Sequence, residues 1–485
     1  MIRHRTPFFV RLCYRPCLIN AYGSELFKSW AELVGYPPPL APPGRCLSSF
    51  WRHRLPLLYA LLLLEVWRDS GKYARVAPYS RSLSNEKENG ALRHNRWLKL
   101  LLGSALTLVV AYAVVTRMDK VRANVSQRDS IQYWAAGKLL IHGDNPYDAK
   151  STIELEWQQG YAQDRPVLVR TPPWSLFLFL PLGLANAFWG WLLWMAISVA
   201  SLIVAMRLIW KMFGKGENTR SVFLFAGYLF APVLACLEAA QIGFVLLIGI
   251  VVFMIFETER PVLAGAALIL PFAKPHLLVF FWVAFLIWLV AHKKFKIAGG
   301  FACAVIAATI LALIFDPAAF QHYREMLRTA AIEGEFIPTL SGVLRLIFFR
   351  QFFRAQFVPL LLGFLWCVWF CIKNMRNWSW RDHGLTVMVV SVLTTPYGWL
   401  TDEVVLLPAI LFAAMCIFGE KKIPTTTKIV LGIFGFLNWL MLMLVASKIP
   451  LQSGIYFWSS LLWCAWYFYG RRRRTANLRA EAVLA

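Results

Sequence analysis

The chain has 485 residues, of which 59% are hydrophobic and 15% aromatic. A soluble domain cannot bury that much apolar surface, so the composition predicts a polytopic membrane protein. Its 50 Lys and Arg against 26 Asp and Glu give a formal charge of +24. Because the cations fall in short clusters between apolar runs, they indicate cytoplasmic loops rather than nucleic-acid binding. The nine cysteines have no paired or metal-type spacing, which argues against a disulfide framework, zinc or redox chemistry.

Residues 1–95 differ from the rest of the chain. They are basic and proline-rich, and their one apolar run, 55–67, is short and interrupted by Glu65. That run is too short to span a bilayer and too far from Met1 for a secretory signal. We interpret residues 1–95 as a disordered or over-long N-terminal extension.

Residues 96–470 form the predicted membrane-embedded domain, an all-α bundle of about twelve transmembrane helices. Several apolar runs are shorter than a usual span, so we expect broken or kinked helices, notably near Pro271 and Pro275. The predicted spans are 97–117, 186–210, 221–237, 242–256, 262–273, 276–291, 297–315, 356–373, 384–396, 403–418, 426–446 and 453–469.

The basic clusters predict the orientation of these spans. All of them fall on one side if both termini are cytoplasmic, which leaves 118–170 and 316–355 as the large external loops and 471–485 as a basic cytoplasmic tail. The expected location is the plasma (inner) membrane, with multiple passes. The segment of about fourteen residues that starts at Thr171 would invert the later clusters if it crossed, so we interpret it as a re-entrant or interfacial helix started by prolines.

Polar residues that apolar spans do not explain gather on the external side, opposite the basic clusters. Ionisable groups at membrane depth are costly and usually line a cavity, so this side is the predicted site. The residues are Asp129, Arg170, Glu238, Gln241, Lys274, His276, Tyr397, Asp402 and Glu403.

Five segments around these residues, taken in order, carry a family resemblance. They are RDSIQYWAAGKLLIHGDNPYD from Arg128, RTPPWSLFLFLPLGLA from Arg170, QIGFVLLIGIVVF from Gln241, AGAALILPFAKPHLL from Ala264 and TTPYGWLTDEVVLLP from Thr394. Together they resemble glycosyltransferase family 87, which includes mycobacterial mannosyltransferases, over about residues 97–470.

The resemblance implies a C-type glycosyltransferase fold with its active site open to the periplasm. It implies a polyprenyl-phosphate sugar as the donor, with mannose favoured, a glycolipid or glycan as the acceptor, and neither a metal nor another cofactor. Mycobacterial members tend to carry histidines near the turn where this chain has Asp402, so the acceptor and the sugar need not be theirs.

Inverting glycosyl transfer needs a base for the acceptor hydroxyl and a cation for the leaving phosphate. Asp129 is the predicted base, because it begins the first external loop and matches the family's first-loop aspartate. The alternative is that Asp129 caps an amphipathic helix over 130–140. The other acids of this segment, Asp144 and Asp148, are interpreted as turn formers.

Lys274 is the predicted phosphate ligand, and its alternative is a snorkelling lysine at a helix end. His276 and Arg170 are further candidates for the phosphate, although a lone His is more often structural. Tyr133 is a candidate for stacking on sugar or lipid, or else part of an interfacial aromatic belt. Asp402 assists the acceptor, binds the sugar or caps a helix, and Gln241 binds substrate or makes a structural hydrogen bond.

Two other classes of protein fit the sequence less well. A secondary transporter also has about twelve spans, but its charges should lie mid-span in repeated halves. A non-catalytic scaffold or lipid-binding assembly factor is the third class. Phosphate-loop, GxSxG and HExxH motifs are missing from the sequence, which argues against ATP hydrolysis and soluble-type hydrolase chemistry.

Overall fold

The computed structural model of the protein describes residues 124–216, 219–329, 337–349, 352–420 and 423–484, with side chains up to 476. The predicted extension 1–95 and the first predicted span, 97–117, lie outside the described residues. Within them the chain is helical and has no strand. The α-helices are α1 Ser130–Ile141, α2 Ala149–Gln158, α3 Leu180–Gly183, α4 Ala187–Phe213, α5 Arg220–Tyr228, α6 Ala231–Ala239, α7 Gly243–Phe256, α8 Pro261–Ala267, α9 Val279–Ala291, α10 Phe295–Phe315, α11 Ala319–Thr329, α12 Leu340–Phe348, α13 Val358–Asn374, α14 Leu385–Thr394, α15 Leu407–Phe418, α16 Thr425–Ala446 and α17 Ser459–Leu484.

Four of the described helical segments are long and apolar enough to cross a membrane: Ala187–Phe213, Phe295–Phe315, Phe353–Asn377 and Thr425–Ala446. Two bent helix pairs raise the number to six if each forms one span. The all-helical membrane class is therefore confirmed, while the count of about twelve spans stays a prediction.

The predicted break near Pro271 and Pro275 is confirmed. The segments Pro261–Ala273 and Pro275–Ala291 meet at 111°, and Lys274 lies at the bend with φ −129° and ψ 68°. Proline disfavours helical backbone in the residue before it and has no N–H to continue the ladder. The bend therefore places Lys274 between two helical segments rather than inside a helix.

Helix α1 differs from the amphipathic helix that we predicted over 130–140. Ten of its twelve residues are buried, and it packs on α3 through the backbones of Gly137 and Gly183. A Cβ on either glycine would collide with the main chain of the opposite helix. The prediction was wrong because protein covers both faces of α1, which the sequence of a short apolar helix does not reveal.

The external loops that we predicted contain helices. The first loop holds α1 and α2, and the buried carboxylate of Glu156 accepts the Val167 N–H at 3.2 Å from each of its oxygens. This contact ties α2 to the chain that leads to Thr171. There a short 3₁₀ segment, Pro173–Leu178, begins at prolines and is followed by α3, and neither is long enough to cross a bilayer.

Helices α7 and α9 run between the same two ends of the bundle. Helix α7 begins at Gly243, two residues after Gln241, and near its other end the Met254 carbonyl accepts the Arg381 guanidinium at 3.4 Å. Helix α9 follows Lys274 and ends at His292, whose ring lies 2.9 Å from the Met375 carbonyl oxygen. Gln241 and Lys274 therefore share one end of the bundle, and the basic segment around Met375 and Arg381 lies at the other.

Helices α15 and α17 connect the same two ends. At the first, the buried Glu403 carboxylate accepts Ser459 Oγ at 2.6 Å and Trp463 Nε1 at 2.7 Å. At the second, Arg473 pairs with Glu420 at 2.6 Å. Helix α17 continues through the segment that we predicted as a basic tail and ends at Leu484.

Candidate functional site

Each central side chain of the site leaves the backbone where a helix begins or is broken. Asp129 precedes α1, and Lys274 lies at the 111° bend. Gln241 follows Ala240, which ends α6 in the left-handed conformation at φ 55°. Asp402 begins the 3₁₀ segment Asp402–Leu406, which precedes α15. These helix starts and breaks all lie at one end of the bundle. The four polar side chains therefore meet there and are not packed between apolar helix faces.

Asp129 and Tyr133 are joined through Gln241. The Tyr133 hydroxyl donates to Gln241 Oε1 at 2.7 Å, and Gln241 Nε2 donates to Asp129 Oδ2 at 2.6 Å. The Tyr133 hydroxyl thereby fixes which end of the Gln241 amide faces the carboxylate. The Asp129 carboxylate makes no helix-capping hydrogen bond, so the capping alternative is wrong.

The Tyr133 ring packs inside the protein and does not belong to an interfacial belt. Its ring is 1% exposed and stacks on Phe179, with the ring centroids 4.7 Å apart, and Trp194 packs against it at 5.1 Å. The interfacial-belt alternative is therefore wrong, while a role of Tyr133 in substrate binding stays a prediction. The hydroxyl instead positions Gln241.

Lys274 and Asp402 form a buried ion pair. Lys274 Nζ lies 2.7 Å from Asp402 Oδ1, and the two side chains are 14% and 2% exposed. Asp402 Oδ2 also accepts the Trp399 N–H at 3.1 Å, which holds the carboxylate in place. Lys274 thus points into the protein rather than snorkelling to solvent. The hydrogen bond from the Trp399 N–H to Asp402 lies within the turn that precedes α15.

The ion pair lies within electrostatic range of Asp129. Burial raises the pKa of the Asp129 carboxyl above its ordinary value, and the charge of Asp402 adds to this rise. The hydrogen bond from Gln241 and the charge of Lys274 act in the opposite direction. The result is a carboxylate that is more basic than a solvated Asp, as a general base requires.

His276 lies beside this pair and is exposed. Its ring meets the edge of Tyr397, with the centroids 6.4 Å apart, and its carbonyl accepts the Thr395 hydroxyl at 3.4 Å. Arg170 is also exposed and directly precedes Thr171, whose carbonyl accepts the Tyr147 hydroxyl at 2.9 Å. The phosphate roles of His276 and Arg170 stay predictions.

Two contacts of the site were not predicted from the sequence. The Arg128 guanidinium donates to the Glu238 carbonyl and thereby fixes the start of α1 against the end of α6. Glu403, next to Asp402, is held by Ser459 and Trp463 of α17. A carboxylate at the start of an apolar helix was the signal for Glu403, but its partners lie 56 and 60 residues further along the chain.

In the part of the chain that the structure describes, His, Cys, Asp and Glu side chains do not gather in groups of three or more that could hold a metal ion. The metal-free reaction stays a prediction, since this finding does not test it.

The fold and the site define a helical membrane protein with a buried carboxylate and a cation at one end of its bundle. Residues 171–396 match the family model described as glycosyltransferase family 87. This match spans a little under half of the chain, supports the assignment of this region to glycosyltransferase family 87, and indicates a membrane glycosyltransferase. The comparisons with curated proteins and with solved structures gave no match.

The matched region contains Gln241, Lys274 and His276 but not Asp129 or Asp402. The structure joins the two sets, because Gln241 bonds to Asp129 and Lys274 pairs with Asp402. Gln241 and Lys274, which lie inside the matched region, therefore bind the carboxylates of Asp129 and Asp402, which lie outside it.

Replacing Gln241 tests how the Asp129 carboxyl is tuned. Gln241→Leu removes a hydrogen bond to the charged form of Asp129, so the pKa of that carboxyl rises further. A base with a raised pKa is protonated at higher pH, so the acidic limb of the kcat/KM profile for glycosyl transfer should move to higher pH. Tyr133→Phe is the control, since it leaves the amide in place and should shift the limb less. An unchanged limb in Gln241→Leu would show that another group sets it.

Proposed function

We propose that this glycosyltransferase moves a hexose, with mannose favoured, from a polyprenyl-phosphate sugar to a lipid or glycan acceptor. The arrangement that most supports the proposal is the Asp129 carboxylate, held by Gln241 and close to the Lys274–Asp402 pair. An acid–base group beside a buried cation is what transfer from a phosphate leaving group needs.

In the proposed reaction the acceptor hydroxyl oxygen attacks the anomeric carbon of the donor sugar. The new C–O bond forms as the bond from the anomeric carbon to the phosphate oxygen breaks, and the bonding electrons stay on the phosphate. The hydroxyl proton passes to Asp129. Lys274, oriented by Asp402, stabilises the charge on the departing polyprenyl phosphate, and His276 and Arg170 are proposed as further contacts for that phosphate.

We propose that the site opens to the external or periplasmic face of the plasma (inner) membrane, with both termini cytoplasmic. The support is the separation of charge: α7 begins two residues after Gln241 and approaches Arg381 near its other end, and basic segments usually stay in the cytoplasm. We also propose a C-type glycosyltransferase fold and a reaction that needs neither a metal nor another cofactor. Membrane lipids are the expected partners of such a bundle, and nucleic acid is not.

The test uses the purified full chain in detergent with radiolabelled polyprenyl-phosphate mannose and extracted membrane lipids. We expect label to move to an acceptor from this donor, and not from the nucleotide sugar GDP-mannose, with or without EDTA. Transfer from GDP-mannose alone would overturn the donor class, and loss of transfer in EDTA would overturn the metal-free reaction. If label from other polyprenyl-phosphate sugars is transferred instead, mannose is the wrong sugar.

A further inference from the structure

A cavity lies at the end of the bundle opposite Asp129, between α13, α14 and α17. Its volume is about 460 Å³, within the range of roughly 300–1,000 Å³ that is common for small-molecule sites. Its lining includes four aromatic rings and two cations: Trp366, Trp369, Phe370, Phe468, Lys373 and Arg471. We call it the basic-end groove.

The lining is ordered along the membrane normal. Trp366, Phe370 and Lys373 follow one face of α13, and Cys464, Phe468 and Arg471 follow one face of α17. Both helices run toward the basic end, so both rows pass from apolar to cationic in the same direction. The neighbouring face of α14 runs the other way, from Thr386 beside Arg471 to apolar residues such as Leu393.

The apolar part of the basic-end groove is aromatic and partly open to the bilayer. The rings of Trp366 and Phe370 stack with centroids 5.0 Å apart, while Trp369 and Phe468 are 56% and 38% exposed. Helix α13 lies within one of the candidate spans, so we expect this surface to face the hydrocarbon of the bilayer. Such a lining fits an acyl chain and offers few polar partners to a soluble ligand.

The cationic part of the groove is not neutralised by the protein. Arg471 pairs with Asp382 at 3.3 Å, and Arg474 reaches the same carboxylate at 3.8 Å. Lys373 lies over the Trp369 ring at 5.1 Å and forms no ion pair with the described residues. Two arginines therefore share one carboxylate and Lys373 has none, which leaves a net positive charge where a lipid headgroup would lie.

We infer that the basic-end groove binds an anionic glycerophospholipid of the bilayer. Its phosphate would lie at Lys373 and Arg471, and an acyl chain would lie along Trp366, Phe370 and Phe468. Basic pockets between transmembrane helices are typical binding places for anionic headgroups, and one apolar end with one cationic end matches an amphiphile. The site lies at the opposite end from Asp129 and does not depend on the proposed transfer reaction.

Two cysteines of the chain make the inference measurable. Cys464 lines the groove, seven positions before Arg471 on α17. Cys303 is exposed on α10, seven positions after the exposed Lys296, and does not line the groove. Each thiol is therefore about 10 Å along its helix from a basic residue, so the two should lie at similar depth.

The experiment measures alkylation of both thiols by a membrane-permeant maleimide, peptide by peptide, in the full chain reconstituted in vesicles. Adding phosphatidylglycerol to phosphatidylcholine should slow the alkylation of Cys464 relative to Cys303, because bound lipid covers Cys464. Cys303 also corrects for the effect of the anionic surface on thiol reactivity. In Lys373→Gln, loss of one cation near an anionic surface should weaken the lipid affinity about fivefold and remove most of this protection.

Lys296→Gln is the matched control, since it removes an exposed lysine beside Cys303 and should leave the protection of Cys464 intact. If the alkylation rate of Cys464 relative to Cys303 is the same in phosphatidylcholine alone as with phosphatidylglycerol, the inference is overturned, because the anionic lipid then has no specific effect. Full protection in Lys373→Gln would overturn it as well. If added polyprenyl phosphate protects Cys464 and phosphatidylglycerol does not, the occupant is a different lipid and the inference fails.

Discussion

Asp129→Asn should reduce glycosyl transfer about 10²–10⁴-fold, the usual contribution of a general base. The amide has nearly the shape of the carboxylate and keeps an oxygen for the Gln241 hydrogen bond, which the wild type makes at 2.6 Å. It cannot take the acceptor proton. The measurement is initial rate with radiolabelled polyprenyl-phosphate mannose at saturating acceptor, with protein folding checked by thermal unfolding.

The same segment provides the control. Asp144 is exposed and lies three residues after the last residue of α1, so Asp144→Asn removes an equal charge from the same loop. It should retain transfer near the wild-type rate. A full rate in Asp129→Asn, or equal losses in both variants, would remove Asp129 from the role of base.

Loss of the Lys274–Asp402 pair has the second large expected effect. Removing only one member of a buried ion pair leaves an uncompensated charge, at a cost of about 3–5 kcal/mol, and such a variant can fail for that reason alone. The informative variant is therefore the double replacement Lys274→Met with Asp402→Asn. Its buried charges are gone, and the Asn oxygen can still accept the Trp399 N–H.

This double variant should unfold close to the wild-type temperature, since neutral replacement of both members of a buried pair costs little. Transfer should fall about 10²–10³-fold if Lys274 stabilises the leaving phosphate. Exchanging the residues, as Lys274→Asp with Asp402→Lys, supplies a second check. The ion pair would be restored with the cation on the wrong helix, so activity should stay low. A stable double variant with near-normal transfer would show that the pair is structural.

The geometry explains why the two carboxylates can have different roles. One oxygen of Asp402 accepts from Lys274 and the other accepts from the Trp399 N–H, so both oxygens have partners. One oxygen of Asp129 accepts from Gln241. Asp129 therefore keeps an oxygen for an acceptor hydroxyl, whereas Asp402 orients a cation.

The sequence singled out individual residues of the candidate site but did not predict how they are arranged. Lys274 before Pro275 in an apolar run predicted both a break and a cation at that break, because each effect is local to a few bonds. Asp129 was placed near the membrane surface by its position after an apolar run. Its hydrogen-bond partner was not predicted, since Gln241 lies 112 residues away in the chain.

Tyr133 shows the limit of local reasoning. By sequence, a tyrosine at the start of an external loop fits an interfacial belt and stacking on sugar or lipid equally well. The structure instead buries the ring against Phe179 and Trp194, which excludes the belt, and both residues are far from Tyr133 in the chain. Single-sequence patterns report which faces are apolar but not whether lipid or protein covers them.

The amino-acid sequence by itself determined the membrane class, the all-helical fold, the bend near Pro271 and Pro275, and the resemblance to a glycosyltransferase family. These follow from composition, from proline stereochemistry and from short motifs, which act over neighbouring residues. Only the tertiary structure decided that Gln241 links Asp129 to Tyr133 and that Asp402 holds Lys274, 128 residues away. Those pairings depend on how separate helices pack, and packing is a property of the whole chain.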